Sequence, residues 1–131
     1  MEDRFQVPKS ILVVLNQLYV MDQKLKEHGD QANLQRCVTK IKDVFSEDGL
    51  LMLDLMGGRR RCGLVYEDPM GQLFKETRTD LEASISGSGI ENLVVVEVIK
   101  PIIRAVLRDS AGEFSQVVQK GVVIVESQKE Q

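Results

Sequence analysis

The feature that most constrains this chain is a change in apolar period at Asp48-Gly49. Upstream, Ile11, Leu12, Leu15, Leu18, Tyr19 and Leu25 recur at helical spacing, with Pro8 suited to a first turn and Gly29 to a C-terminal stop. Asp30 is placed to cap a second helix, in which Leu34, Cys37, Val38, Ile41, Val44 and Phe45 keep the same period as far as Gly49. The very short connection around Gly29 makes the two an antiparallel hairpin. Downstream the apolar runs are short and rich in Val, Ile and Leu: LLMLDL, CGLVY, NLVVVEVIK and FSQVVQKGVVIVES. Gly57-Gly58, Asp68 to Gly71, Gly87 to Gly89 and Asp109 to Gly112 punctuate them, as turns punctuate strands. Lys100-Pro101 marks an edge, a bulge or a strand end, because proline donates nothing to a ladder. Ile102 to Leu107 fits a strand or a helical turn, and residues 72–86 fit either a loop with a short strand or one helix.

The expected fold is therefore α+β: an N-terminal helical hairpin over 1–48 as an assembly region, then a small, mostly antiparallel β domain over 49–131 as a partner-binding region. One domain-sized core suits the 131 residues. The first helix carries Val13, Val14, Val20 and Met21 beyond its main stripe, an arc wider than one partner helix and a small sheet need. Either the β region or a second subunit must cover it. Dimerisation is expected through Ile11, Val14, Leu15, Leu18, Val20 and Met21.

Catalytic chemistry finds little footing. His28 is the one histidine, and at a helix C-terminus it complements the carbonyl end of the dipole. Two distant cysteines and one histidine do not make a zinc spacing, and Cys37 and Cys62 are expected to be buried, unbridged thiols. The neighbouring acids Glu2-Asp3, Glu47-Asp48 and Glu67-Asp68 sit at element ends, where capping or turn formation explains them. No phosphate-cradling glycine loop is present, since neither Gly57-Gly58 nor Gly87-Ser88-Gly89 has the required context. The expectation is a non-enzymatic chain with no cofactor and no metal.

Seventeen basic against twenty acidic side chains give a net charge of -3, so there is no general pull toward nucleic acid or anionic lipid. Arg59-Arg60-Arg61 is the sharpest charge cluster. Placed at a turn between strands, it is a candidate contact for an acidic partner surface, and the absence of interleaved aromatics argues against base stacking. No apolar run approaches the roughly 20 residues of a membrane span, and no secretory leader is recognisable, so a cytoplasmic location is expected.

The order of parts also resembles the C-terminal two-thirds of GrpE, the nucleotide exchange factor of DnaK-type chaperones. Ile11 to Leu25 (ILVVLNQLYVMDQKL) is similar to that family's LLPVLDNLERAL stretch, and Leu34 to Asp54 to its second helix and following strand. Gly71 to Phe74 (GQLF) with Leu81 to Ser84 (LEAS) resembles the family's F…EA motif. Val94 to Arg104 (VVVEVIKPIIR) resembles its VVEV…R segment, and Gln119 to Ser127 sits where it has RPAxVxV. The chain departs from the family in lacking the motif's histidine, in Gln119-Lys120 replacing Arg-Pro, and in an extra hairpin over Leu55 to Met70. The long helix of the family's stalk is absent as well. The resemblance implies a homodimer joined by a helical bundle that presses its β domain onto a DnaK-type ATPase domain and favours its open state, releasing ADP. It implies partner contacts at Phe74, Glu82, Arg104, Gln119 and Lys120. An adaptor that self-associates through its helices and binds another protein through its β domain is the alternative.

Overall fold

Pro8 opens the first helix and Gly29 closes it. In a computed structural model of the chain, which describes residues 7–53, 58–109 and 112–128, α1 spans Lys9–His28. The Pro8 carbonyl accepts from the Ile11 and Leu12 amides, and the Gly29 amide (φ 83°) donates to Leu25 at 2.9 Å. Asp30 caps α2 (Leu34–Asp43) as expected: its Oδ1 accepts the Leu34 amide at 2.6 Å and its Oδ2 the Gln35 amide at 3.0 Å. The helix then widens into a π-helical turn, Val44–Asp48, which stops at Gly49.

Seven strands follow among the described residues, so the chain is α+β. They are β1 (Leu50–Leu53), β2 (Arg59–Glu67), β3 (Leu81–Ser86), β4 (Leu93–Lys100), β5 (Ile102–Asp109), β6 (Gly112–Gln119) and β7 (Gly121–Ser127). They form two sheets, of order β1-β2-β5-β6 and β3-β7-β4.

Contacts divide the chain into two compact units, and the division does not fall at residue 48. The first comprises Met1–Tyr66 with Ile103–Val118, the second Glu67–Ile102 with Gln119–Gln131. The helices thus share a core with the four-stranded sheet. Leu15, Leu18 and Val38 meet Met52, Cys62, Leu64, Ile103, Ala105 and Leu107, with Phe45, Phe114 and Val118 packed around them. Cys62 and Leu64 in β2, and Ile103, Ala105 and Leu107 in β5, keep the period of two that sends alternate side chains to one face. The ambiguous stretch Ile102 to Leu107 is therefore strand. β1 and β2 pair antiparallel from Leu50↔Cys62 to Leu53↔Arg59. β5 and β6 are neighbours joined by two residues, a connection only an antiparallel pair can make.

In the second unit β7 is the middle strand. It pairs antiparallel with β4 and parallel with β3, in register from Leu81↔Gly121 to Ser86↔Glu126. Leu81, Leu93, Val95, Ile102, Val123 and Val125 are buried here, with Pro69 and Pro101. Residues 71–74 run along β4: the Gly71 and Phe74 amides donate to Val95 and Leu93, and the Val95 amide donates to Gln72. Arg78 pins the loop that follows, with both Asp80 oxygens at 3.0 Å and Nη1 on Gln72 and the Leu73 carbonyl. Residues 72–86 are thus a loop ending in the strand β3.

The closing run FSQVVQKGVVIVES is two strands rather than one. It breaks at Lys120 between two sheets, and the boundary between the units falls just before, after Val118. Ile102 and Ile103 show the same crossing: adjacent residues, both buried, each in the core of a different unit.

Candidate interaction surfaces

α1 is apolar on two sides. One side is filled by Leu15 (1% exposed), Leu18 (4%) and Tyr19, with Ile11 packed beside them. On the other, Val13 (51%), Val14 (43%), Val20 (38%) and Met21 (42%) face solvent. Their spacing keeps them within about a third of the helix circumference, with Gln17 and Lys24 between them. Of the six residues expected to join two subunits, Leu15 and Leu18 are thus committed to the core of their own unit. Val14, Val20 and Met21 stay accessible. α2 shows a similar exposed line at Leu34, Cys37, Ile41 and Val44. Cys37 is accordingly exposed rather than buried, because it falls on this line; Cys62 is buried, and both are free thiols.

The arginine cluster is not a turn. Arg59, Arg60 and Arg61 begin β2 and pair with Leu53, Met52 and Leu51, and residues 54–57 lie outside the described residues. Cross-strand pairing with a leucine-rich neighbour extends the strand through the three charges, since all three side chains remain exposed. Alternation places Arg59 and Arg61 on the face opposite Cys62 and Leu64, and Arg60 on the core-side face at the strand's end. Arg104 and Arg108 lie opposite Ile103, Ala105 and Leu107, hence on the same outer face as Arg59 and Arg61. There Arg108 Nε meets Glu113 Oε1 at 2.8 Å. The other expected contact residues belong to the second unit. Phe74 is half-buried beside β4, and Glu82 is exposed on β3. Gln119 donates from Nε2 to the Pro101 carbonyl at 2.9 Å, and Lys120 is exposed at the break between β6 and β7.

The most organised polar group of the first unit was not foreseen. Asp22 is 5% exposed, and its carboxylate takes three donors: Gln35 Nε2 on Oδ1 at 3.1 Å, Lys42 Nζ on Oδ2 at 3.2 Å and the Tyr66 hydroxyl on Oδ2 at 3.2 Å. Lys42 also lies 4.8 Å from the centre of the Tyr66 ring, and Tyr19 meets that ring edge-on at 5.8 Å. One sequence signal existed: Leu15, Leu18, Asp22 and Leu25 share helical spacing, which puts an acid at a core position. Nothing local pointed to Tyr66, which is 44 residues away.

Burial pushes the Asp22 carboxyl up, but hydrogen bonds from Gln35 and Lys42 and the charges of Lys42 and Lys26 more than offset it, so it ionises below the ordinary carboxylate range. Burial, and then the Asp22 charge and hydrogen bond, push the Tyr66 phenol up. A tyrosine so held stays protonated and serves as a donor, not as a base. Beside it is a cavity of about 160 Å³ bounded by Leu15, Lys42, Asp43, Ser46, Leu64, Val65 and Tyr66. Its Ser46 hydroxyl donates to the Asp43 main-chain carbonyl at 3.3 Å, and the network ties both helices to β2.

The pH dependence of folding follows from these directions. A depressed carboxyl contributes stability above its unfolded value near pH 4, and that stability is lost as pH falls through the folded value. A raised phenol contributes below about pH 10 and loses its contribution as pH rises. Urea midpoints should therefore form a plateau that falls on both sides, and Tyr66→Phe should flatten the alkaline fall while leaving the acid one in place.

Among the described residues no group of three or more His, Cys, Asp or Glu side chains could hold a metal ion, and no helix is long and apolar enough to cross a membrane. No known protein family, no curated protein and no solved structure matches this chain.

Proposed function

We propose that this chain is a non-enzymatic binding protein that self-associates through the solvent-facing side of α1 and engages a protein partner with its strands. The carrying observation is that Val13, Val14, Val20 and Met21 remain exposed on a helix whose opposite side already fills a core. Apolar patches of this kind, interrupted by a few polar residues, mark interaction sites. The exposed line on α2 supports the same reading.

Light scattering over a concentration series should give twice the chain mass. Val20→Glu with Met21→Glu should halve it while the chain stays folded, since both side chains lie on the exposed side of α1 and outside its core. A wild-type chain that stays monomeric at about 100 µM, corresponding to a free energy weaker than about 5–6 kcal/mol, would reject self-association.

The particular partner suggested by the resemblance to GrpE is a DnaK-type ATPase domain, contacted through Phe74, Glu82, Arg104, Gln119 and Lys120. What favours this form is the order of a helical pair with an open apolar face followed by a β region. Faster ADP release from that domain would support it, and no binding at tens of micromolar would leave the adaptor form. In the adaptor form Arg59, Arg60 and Arg61 are the contacts for an acidic surface, and their joint replacement by alanine should weaken partner binding.

A further inference from the structure

The two edges of the β3-β7-β4 sheet are guarded very differently. Along β4 the register slips twice, between Val95 and Glu97 and between Val98 and Lys100, and residues 71–74 already occupy part of its outer side. Bulges and covering segments are standard protection against unwanted strand pairing. Among the described residues β3 has β7 as its one neighbour and matches it residue for residue from Leu81 to Ser86, without a bulge. Its sequence, LEASIS, contains no proline and no lysine, and one charge. Glu82, Ser84, Ile85 and Ser86 are all exposed.

Ile85 is the least covered apolar side chain of β3 among the described residues. It stands on the same face as Leu81, opposite Val125, which is fully buried, yet it is itself 49% exposed. On the other face the rows across the sheet read Glu82, Val122 and Lys100, then Ser84, Ile124 and Glu97, then Ser86, Glu126 and Val94, three acids to one lysine. A strand laid along β3 would therefore meet Leu81, Ala83 and Ile85 at alternate residues and Glu82, Ser84 and Ser86 at those between.

We infer that β3 is a docking edge for an extended segment of a partner protein in which β-branched apolar residues alternate with lysine or arginine. The backbone supplies affinity through ladder hydrogen bonds, the apolar residues complete the cover over Ala83 and Ile85, and the cations answer Glu82. This inference rests on reading the chain as a binding protein, and it concerns a surface separate from α1.

The test uses the full chain, labelled for NMR, and two end-blocked hexapeptides, Val-Lys-Val-Lys-Val-Thr and Val-Glu-Val-Glu-Val-Thr. The basic peptide should shift the Glu82 to Ser86 amides, slow their hydrogen exchange and bind about tenfold or more tightly than the acidic one. Glu82→Lys should reverse that preference, and Ile85→Lys should abolish binding while the β7 amides keep their protection. Equal binding of both peptides, or shifts confined to residues outside β3, would overturn the inference. So would β3 amides already protected without peptide in a species of doubled mass that Ile85→Lys dissociates, because the occupant would then be a second copy. A chain that dimerises through α1 but ignores both peptides loses this inference alone.

Discussion

Asp22→Ala should lower folding stability by about 2–4 kcal/mol, the usual cost of stranding donors that shared a buried charged acceptor. Alanine leaves Gln35, Lys42 and the Tyr66 hydroxyl without the carboxylate that holds them at 3.1–3.2 Å. Lys42 is partly exposed and can turn to water, so the loss falls mainly on Tyr66 and on the junction of the two helices with β2. Thermal unfolding followed by circular dichroism should show a midpoint lowered by roughly 10–20 °C. Asp22→Asn should lose less, because one amide oxygen still accepts, though it cannot satisfy both Lys42 and Tyr66. If the alanine variant lost under about 1 kcal/mol, the range of an ordinary surface change, the network would not be what joins helices to sheet.

Gly49→Ala should be as damaging, for a different reason. Gly49 has φ 65° and ψ −164°, a region essentially closed to residues with a Cβ and costing about 1–3 kcal/mol. An added Cβ would also collide with the Cys62 carbonyl oxygen and come within 2.9 Å of the Gly63 amide nitrogen. Neither backbone can yield without disturbing the β1–β2 ladder that begins at Leu50↔Cys62. The combined penalty is about 3–5 kcal/mol, the overpacking adding to the torsional strain. Gly29→Ala separates the two contributions. Gly29 has φ 83°, but nothing lies within 4 Å of its missing Cβ, so only the torsional part should appear. Denaturant midpoints of the two variants measure the difference, and equal losses would mean that the approach to Cys62 does not matter.

The helices were legible because their signals are local. Pro8, Gly29, Asp30 and Gly49 act on the backbone within a turn of where they stand, and each does in the structure what its chemistry dictates. The short runs NLVVVEVIK and CGLVY, rich in Val, Ile and Leu and set between turn residues, likewise marked strands before any partner strand was known. Arg59 to Arg61 went the other way, since three adjacent charges suggest a turn until a facing strand is available, and Leu51 to Leu53 provide one. The surfaces were legible only in part. Two apolar sides on α1 could be counted from spacing, but Leu15 and Leu18 looked as suitable for a second subunit as Val14 and Val20.

By itself, then, the sequence determined two capped helices, a change to strands after Gly49, an α+β class and an excess of apolar residues on α1. The tertiary structure decided which side of α1 enters a core, that the last apolar run splits at Lys120 between two sheets, and that β3 pairs parallel to β7, its one neighbour among the described residues. The reason is range. Periodicity and capping are set by neighbours a few residues apart, whereas sheet order, the burial of one face over another and the meeting of Asp22 with Tyr66 depend on contacts between distant segments, which no local pattern records.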